Sequence, residues 1–123
     1  MSFEWRDYFT LAETLLSSEL RGGREACLRS AMSRAYYAAF ATARRQSRER
    51  HGGIVRQSAA EHGEVATFYA SRGDAGGAIA AHLTRLRFLR NRADYDDELA
   101  GPDEAADEAI ARAREVLQLL EAL

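Results

Sequence analysis

The chain has 123 residues, of which 46% are apolar and 29% are charged, values typical of one soluble domain over residues 1–123. The net charge is −2 and all basic residues are arginines, so any contact with RNA must depend on a local arginine cluster. The single Cys27 excludes a disulfide framework and a cysteine-rich zinc module. No apolar run approaches the ~18 residues that span a bilayer, and the first ten residues do not resemble a leader. We therefore expect a cytoplasmic protein without membrane attachment.

Abundant alanine and leucine, a single proline and few β-branched residues predict an all-α fold. Apolar residues at helical spacing predict the first helix over about residues 3–20 and the second over about 24–50. Residues 31–43 of the second helix contain only Arg34 as a charge, so this helix is expected to lie at the centre, with neighbours on several sides. Tyr37, Phe40 and Phe88 lie off the main apolar stripes, which predicts a homodimer interface.

The second half of the chain predicts three further helices. Ser58 and Glu61 have the spacing of a capping box that opens a helix to about residue 71, with Val65, Phe68 and Tyr69 facing inward. Residues 72–77 predict a turn, residues 78–93 the fourth helix, and residues 94–101 a polar exit. Pro102 suits the first position of the last helix. The predicted architecture is a bundle of four main helices and a shorter one.

Arg90 is the residue of the fourth helix that least fits a purely structural pattern. At about 100° per residue, Arg90 falls in the middle of the apolar stripe, and Arg87 and Asp94 flank that stripe. A guanidinium directed at a core seam needs a partner. That partner is either Asp94, four residues later on the same helix, or a phosphate group of a ligand, and both interactions can coexist.

The remaining polar candidates favour structural roles. Tyr36 and Tyr37 of the second helix are interpreted as packing residues whose hydroxyl groups reach the surface. His51, His62 and His82 lack the spacing of a metal site, and each is interpreted as a capping or packing histidine. The sequence contains no phosphate-binding loop, dinucleotide fingerprint or nucleophile elbow, so no metal and no cofactor are expected.

Two segments together resemble the HEPN domain family, in its small prokaryotic branch. They are SRAYYAAFATAR at residues 33–44 and LRFLRNRADYDD at residues 86–97, and HGEVATF at residues 62–68 also fits that branch. The resemblance implies an antiparallel bundle of four to five helices that forms a homodimer, with helices two and four near the dimer axis. Many family members are metal-independent ribonucleases and act as toxins beside a small nucleotidyltransferase antitoxin.

The catalytic motif of the family is an arginine followed, after four to six residues, by a histidine. Arg90 and Asn91 match the arginine and the asparagine that often follows it, whereas Tyr95 occupies the histidine position. The resemblance therefore implies Arg90, Asn91 and Tyr95 as catalytic candidates. Arg87, Arg34, Asp94 and Tyr37 are the candidates for binding. A phenol with a pKa of ~10 is a poorer acid–base group at neutral pH than an imidazole.

Three functions stay open at the level of the sequence. The first is a toxin or RNA-processing ribonuclease in which Arg90 binds the scissile phosphate in a composite site at the dimer groove. The second is a non-catalytic HEPN subunit that binds RNA or a nucleotide, or regulates a partner enzyme. The third is a bundle that serves only assembly. The retained Arg90–Asn91 pair favours a contact with RNA or a nucleotide, and the absent histidine favours the second function over the first.

Overall fold

A computed structural model of the chain describes residues 2–18, 23–51 and 60–123. Within these ranges it contains helices and no strands, which confirms the all-α fold class. The five helices, in chain order, are α1 (Asp7–Leu16), α2 (Arg24–His51), α3 (Glu61–Ala70), α4 (Gly73–Tyr95) and α5 (Pro102–Ala122). None of these helices is long and apolar enough to cross a membrane.

Helix α2 is the centre of the bundle and packs against each of the other four helices. Its small side chains make this possible, because alanines at several faces of the helix are fully buried and let the neighbouring backbones approach closely. The prediction of a central second helix is confirmed. Phe40 is also buried, at 3% exposure, so the prediction that it contributes to a dimer interface is wrong. Its ring packs inside its own chain, stacked against Tyr36.

Helix α1 is shorter than predicted. It begins at Asp7 rather than residue 3 and ends at Leu16, while part of the predicted C-terminal end lies outside the described residues. The residues before the helix form an aromatic cluster instead, in which the rings of Phe3 and Trp5 both contact Tyr8. A continuous helix would put Trp5 and Tyr8 on one side and direct Phe3 to another, so the non-helical start brings Phe3 to the other two rings.

Helix α3 begins at Glu61, with Ala60 as the preceding cap residue and no side-chain cap. Ser58, the predicted capping residue, lies outside the described residues. The capping box is therefore untested within the described residues, and the Oε1 atom of Glu61 accepts a hydrogen bond from Nη1 of Arg44 at 2.7 Å. The carboxylate thus joins α3 to α2. Val65 and Tyr69 are fully buried as predicted.

Helix α4 begins at Gly73, five residues earlier than predicted, so most of the predicted turn at 72–77 is helical. Gly73 has a φ of +74°, a left-handed conformation that glycine adopts without strain, and it follows Ser71 and Arg72 in the short reversal between α3 and α4. Gly76 is buried, and a Cβ atom there would collide with the carbonyl oxygen of Tyr69. The glycines therefore allow a close helix–helix approach rather than a long turn. Pro102 opens α5 as predicted, after Gly101 in the left-handed conformation.

Candidate functional site

Arg90 projects from α4 into the interior, where its side chain lies against α2. The residue is 9% exposed, which confirms its predicted place in the apolar stripe. The guanidinium carbon lies 5.3 Å from the ring centre of Tyr36 and 5.4 Å from that of Tyr37. Two aromatic faces thus attract the cation where little water reaches it.

The polar partners of Arg90 are few for a buried cation. Its Nη1 lies 3.7 Å from Oδ2 of Asp94, an ion pair that is longer than a hydrogen bond. The same Asp94 oxygen accepts a 3.5 Å hydrogen bond from the Ser33 hydroxyl. The Nε atom of Arg90 is buried and has no hydrogen-bond partner among the described residues. Buried donors are almost always paired, so this guanidinium is incompletely paired among the described residues.

Arg34 and Tyr37 continue the arginine–tyrosine contacts of Arg90 toward α1. The guanidinium of Arg34 lies over the rings of Tyr8, at 4.7 Å, and Tyr37, at 5.2 Å, and Nη2 donates to the Ser33 hydroxyl at 3.3 Å. Arginines and tyrosines therefore alternate from α1 across α2 to α4. Four predicted residues, Arg34, Tyr37, Arg90 and Asp94, are brought together.

Arg29 of α2 holds the C-terminal end of α4 next to this cluster, a role that the sequence analysis missed. Its Nη1 donates to the carbonyl oxygens of Ala93, at 2.9 Å, and Asp96, at 2.6 Å. A cation at these carbonyls is favourable because they form the negative end of the helix dipole. The contact fixes the last turn of α4, and with it the position of Asp94.

His62 is the second residue that the sequence analysis missed as a site candidate. The hydroxyl of Tyr36 forms a hydrogen bond with its Nδ1 atom, so this hydroxyl does not reach the surface as predicted. The imidazole also packs 4.5 Å from the ring of Phe40. Burial, followed by the positive charges of Arg87 and Arg90, lowers the pKa of His62 to about 4. The imidazole is therefore neutral at pH 7.

His62 and Arg87 line one small cleft of about 80 Å³ between α2, α3 and α4. Arg87 is exposed, whereas Tyr36, which forms part of the floor, is 1% exposed. The cleft thus places an orientated imidazole beside a guanidinium that solvent can reach. We call Tyr36, Tyr37, His62, Arg87 and Arg90 the Arg90 cluster.

Asn91 and Tyr95, two of the three catalytic candidates, lie on the outside of α4. Tyr95 is 75% exposed, and five residues correspond to about 140° around a helix, so its side chain faces away from Arg90. Asn91 is also exposed. Within one chain, the structure therefore does not place Tyr95 beside Arg90 as an acid–base partner.

In the described parts of the chain, histidine, cysteine and carboxylate side chains form no group of three or more that could hold a metal ion. Comparison of the chain with protein-family models, curated proteins and solved structures finds no match. The HEPN resemblance therefore depends on the sequence motifs, and the Arg90 cluster is interpreted from its own geometry.

Proposed function

We propose that this chain is a HEPN-type protein that binds RNA through Arg90 and cleaves it without a metal ion, as the toxin-like component of a pair with a small nucleotidyltransferase. The observation that carries the proposal is the state of the Arg90 guanidinium. It is nine-tenths buried, its Nε lacks an acceptor among the described residues, and its carboxylate partner lies 3.7 Å away.

A phosphate group fits a guanidinium whose carboxylate partner is this distant. The planar guanidinium presents N–H groups in a fork that matches two phosphate oxygens, and burial strengthens such charge-assisted hydrogen bonds. Asp94 holds Arg90 too loosely to saturate it. Arg87, on the same helix and exposed, adds a second positive charge that a phosphate diester can approach from solvent.

The reaction that suits such a site is transesterification within RNA. The ribose 2′-hydroxyl attacks the adjacent phosphorus, which requires positive charge on the phosphate and a group that accepts a proton, but no metal ion. Arg90 and Arg87 supply the charge in this proposal. RNA is favoured over DNA because DNA lacks the attacking hydroxyl.

The alternative is a non-catalytic HEPN subunit that binds RNA or a nucleotide, or regulates a partner enzyme. The exposed position of Tyr95, far around the helix from Arg90, favours this alternative. In either case we propose a homodimer. Phe88, which is 47% exposed, is the apolar residue expected at the subunit contact.

Binding of single-stranded RNA by the full chain, measured in EDTA, tests the proposal. Arg90→Ala should weaken binding about 10- to 100-fold, because charge-assisted hydrogen bonds to a phosphate are lost. Arg90→Lys should recover part of the affinity but not the bidentate contact. Arg114→Ala, an arginine on α5 that pairs with Glu13, is the matched control.

The outcomes separate the two functions. Cleavage by the wild type in EDTA, lost in Arg90→Ala while the circular-dichroism spectrum is retained, supports the ribonuclease. RNA binding that requires Arg90 but leaves the RNA intact supports the non-catalytic subunit. Equal RNA affinity of Arg90→Ala, Arg114→Ala and wild type contradicts RNA recognition through Arg90, and with it the ribonuclease and the RNA-binding form of the alternative.

A further inference from the structure

We propose that His62 of α3 is the general base of the Arg90 cluster, the group that accepts the proton of the attacking 2′-hydroxyl. This inference rests on the proposed RNA cleavage and adds a catalytic residue to it. It assigns the proton transfer to a helix other than α4, where Tyr95 occupies the motif position. The orientation of His62, its neighbours, its protonation state and the balance of the reaction support the assignment.

The first is orientation. The Tyr36 hydroxyl contacts Nδ1, and Tyr36 itself is 1% exposed, so this partner is fixed in the core. The ring of Phe40 packs against one side of the imidazole at 4.5 Å. With Nδ1 engaged, Nε2 is the nitrogen left for a ligand. When Nδ1 donates its hydrogen to the tyrosine oxygen, Nε2 carries a free lone pair, and a second hydrogen bond that selects the tautomer is common at functional histidines.

The second is the neighbourhood. His62 lines the same cleft as Arg87, and the charges of both Arg87 and Arg90 act on the imidazole. Arg90 does not itself line this cleft, but its guanidinium lies 5.3 Å from the ring of Tyr36, whose hydroxyl contacts His62. A phosphate bound by Arg87 in the cleft would therefore lie next to the imidazole, on the side of Tyr36 that faces His62 rather than Arg90. The proton acceptor and the phosphate-binding groups come from α3 and α4, two helices whose close approach Gly76 permits.

The third is protonation. The pKa of about 4 keeps the imidazole neutral at pH 7, in the form that accepts a proton. From α4, Arg87 and Arg90 lower the pKa, and from α2 the facing group is the Tyr36 hydroxyl. On α3 itself, the carboxylate of Glu61 is bound to Arg44, and Glu64 follows two residues after His62. A bound phosphate offsets the two arginine charges, which raises the pKa and makes His62 a stronger base in the complex.

The fourth is the balance of the reaction. Nε2 of His62 takes the proton of the 2′-hydroxyl while the 2′-oxygen forms a bond to phosphorus. The bond between phosphorus and the 5′-oxygen breaks, and that oxygen takes a proton from water. The products are a 2′,3′-cyclic phosphate and a 5′-hydroxyl end, and the imidazolium then returns its proton to solvent. Arg87 and Arg90 stabilise the charge that develops on the phosphate oxygens.

The test compares His62→Gln with His82→Gln in the full chain. His82 is the matched control, because it is also partly buried and next to an arginine, Arg112, but lies between α4 and α5. We expect His62→Gln to lower the cleavage rate about 100-fold or more, the usual contribution of a general base, with RNA affinity within about twofold of wild type. His82→Gln should cleave like the wild type.

Two further readouts separate catalysis from packing. The kcat/KM of the wild type should fall below about pH 4 to 5, because protonation of His62 removes the base. Circular dichroism at each pH checks that the protein is still folded. The His62→Gly variant should recover cleavage when free imidazole is added. A more basic substituted imidazole should restore more activity when both bases are compared at a pH at which they are neutral. A packing role predicts neither the acid limb nor the dependence on the pKa of the added base.

Wild-type cleavage by His62→Gln overturns the inference. A folded His62→Gly variant that binds RNA but that imidazole does not rescue also overturns it. If neither variant folds, Tyr36→Phe is the deciding variant. Loss of the contact to Nδ1 should shift the acid limb of the pH profile, and an unchanged profile contradicts the role of His62. RNA binding that requires Arg90 but is never followed by cleavage overturns the inference and leaves RNA recognition intact. Equal RNA affinity of Arg90→Ala and wild type instead contradicts the proposed function itself.

Discussion

Two arginines in this bundle, Arg44 of α2 and Arg90 of α4, occupy similar surroundings and differ in how they are paired. Both are largely enclosed, with side-chain exposures of 18% and 11%. Both lie over two aromatic rings, and both have a buried Nε without an acceptor in the described part of the chain. Arg44, however, donates at 2.7 Å to Glu61 of α3, whereas the carboxylate nearest to Arg90 is 3.7 Å away on its own helix.

This difference is the basis for assigning a structural role to Arg44 and the proposed phosphate-binding role to Arg90. The Arg44–Glu61 pair has normal hydrogen-bond geometry, joins two helices and uses a carboxylate that is itself only 11% exposed. The Arg90–Asp94 pair joins successive turns of one helix, and its carboxylate is 32% exposed. A cation that is desolvated but incompletely paired gains more from an incoming anion than one that is already saturated.

The largest expected effect is therefore on the Arg44 side. Glu61→Ala removes the carboxylate, leaves Arg44 buried without its ion-pair partner and should lower the free energy of unfolding by about 2–4 kcal/mol. Urea denaturation followed by circular dichroism measures this change. Asp107→Ala, which removes an exposed carboxylate from α5, serves as the control and should shift stability by less than ~0.5 kcal/mol. A Glu61→Ala variant as stable as the control would show that the two arginines do not differ in the proposed way.

On the Arg90 side we expect a smaller loss. Asp94→Ala should lower the free energy of unfolding by ~1–2 kcal/mol, more than an exposed salt bridge contributes but less than Glu61→Ala, because the ion pair is longer and its carboxylate more exposed. The same substitution removes an anion that competes for Arg90, so RNA affinity should rise or stay equal. A fall in RNA affinity with an intact fold would show that Asp94 orients Arg90 for the ligand rather than competing with it.

The same contrast shows what the sequence can and cannot predict. Arg90 and Asp94 share a helix, so spacing alone placed them together. Glu61 and Arg44 come from different helices, so no spacing in the sequence could pair them, and the local capping pattern around Glu61 gave no sign of this second partner. His62 could not be placed beside Arg90 for the same reason, because the approach of α3 to α2 and α4 depends on tertiary packing. The only signal was the position of HGEVATF in the family resemblance.

The glycines at 73–77 show why the start of α4 could not be predicted from the sequence. In sequence, Gly73, Gly76 and Gly77 resemble a turn, and only Gly73 has the positive φ that a turn requires. Gly76 instead provides the space in which α4 passes the Tyr69 carbonyl. A glycine that permits a turn and one that permits close packing look the same until the neighbouring backbone is known.

The surroundings of Arg90 also predict how the stability of the protein depends on pH, because they include the partly buried imidazole of His62. His62, beside Arg90, has a folded pKa of about 4 against the ordinary 6.5, so the unfolded chain binds its proton first. Its contribution is present above pH 6.5 and is lost as the pH falls toward 4, by at most ~1 kcal/mol because the imidazole is partly exposed. Unfolding midpoints between pH 7 and 4.5 should therefore fall less for His62→Gln than for the wild type. Equal slopes would contradict the burial of a neutral imidazole.

The smallest expected effect concerns a third arginine pairing, on the surface between α4 and α5, which gives the exposed end of the comparison. Glu108 accepts two hydrogen bonds from Arg85, at 2.8 and 3.0 Å, and one from Arg112 at 2.7 Å. The bond from Arg85 is the largest cause that lowers the pKa of Glu108 to about 2. These hydrogen bonds are about as short as the one from Arg44 to Glu61, but Arg85 is 43% exposed, so water and salt screen the charges.

Glu108→Gln should thus cost only about 0.5 kcal/mol at pH 7, well below the effect of Glu61→Ala. The folded pKa is depressed, so the stabilisation is present above the ordinary 4.5 and is lost as the pH falls through about 2. The difference between wild type and variant should therefore shrink below pH 4.5, and at pH 7 it should shrink when salt is raised to 1 M. A loss at pH 7 as large as that of Glu61→Ala would mean that hydrogen-bond geometry, rather than burial, sets the strength of these arginine pairs, and the distinction between Arg44 and Arg90 would then depend on distance alone.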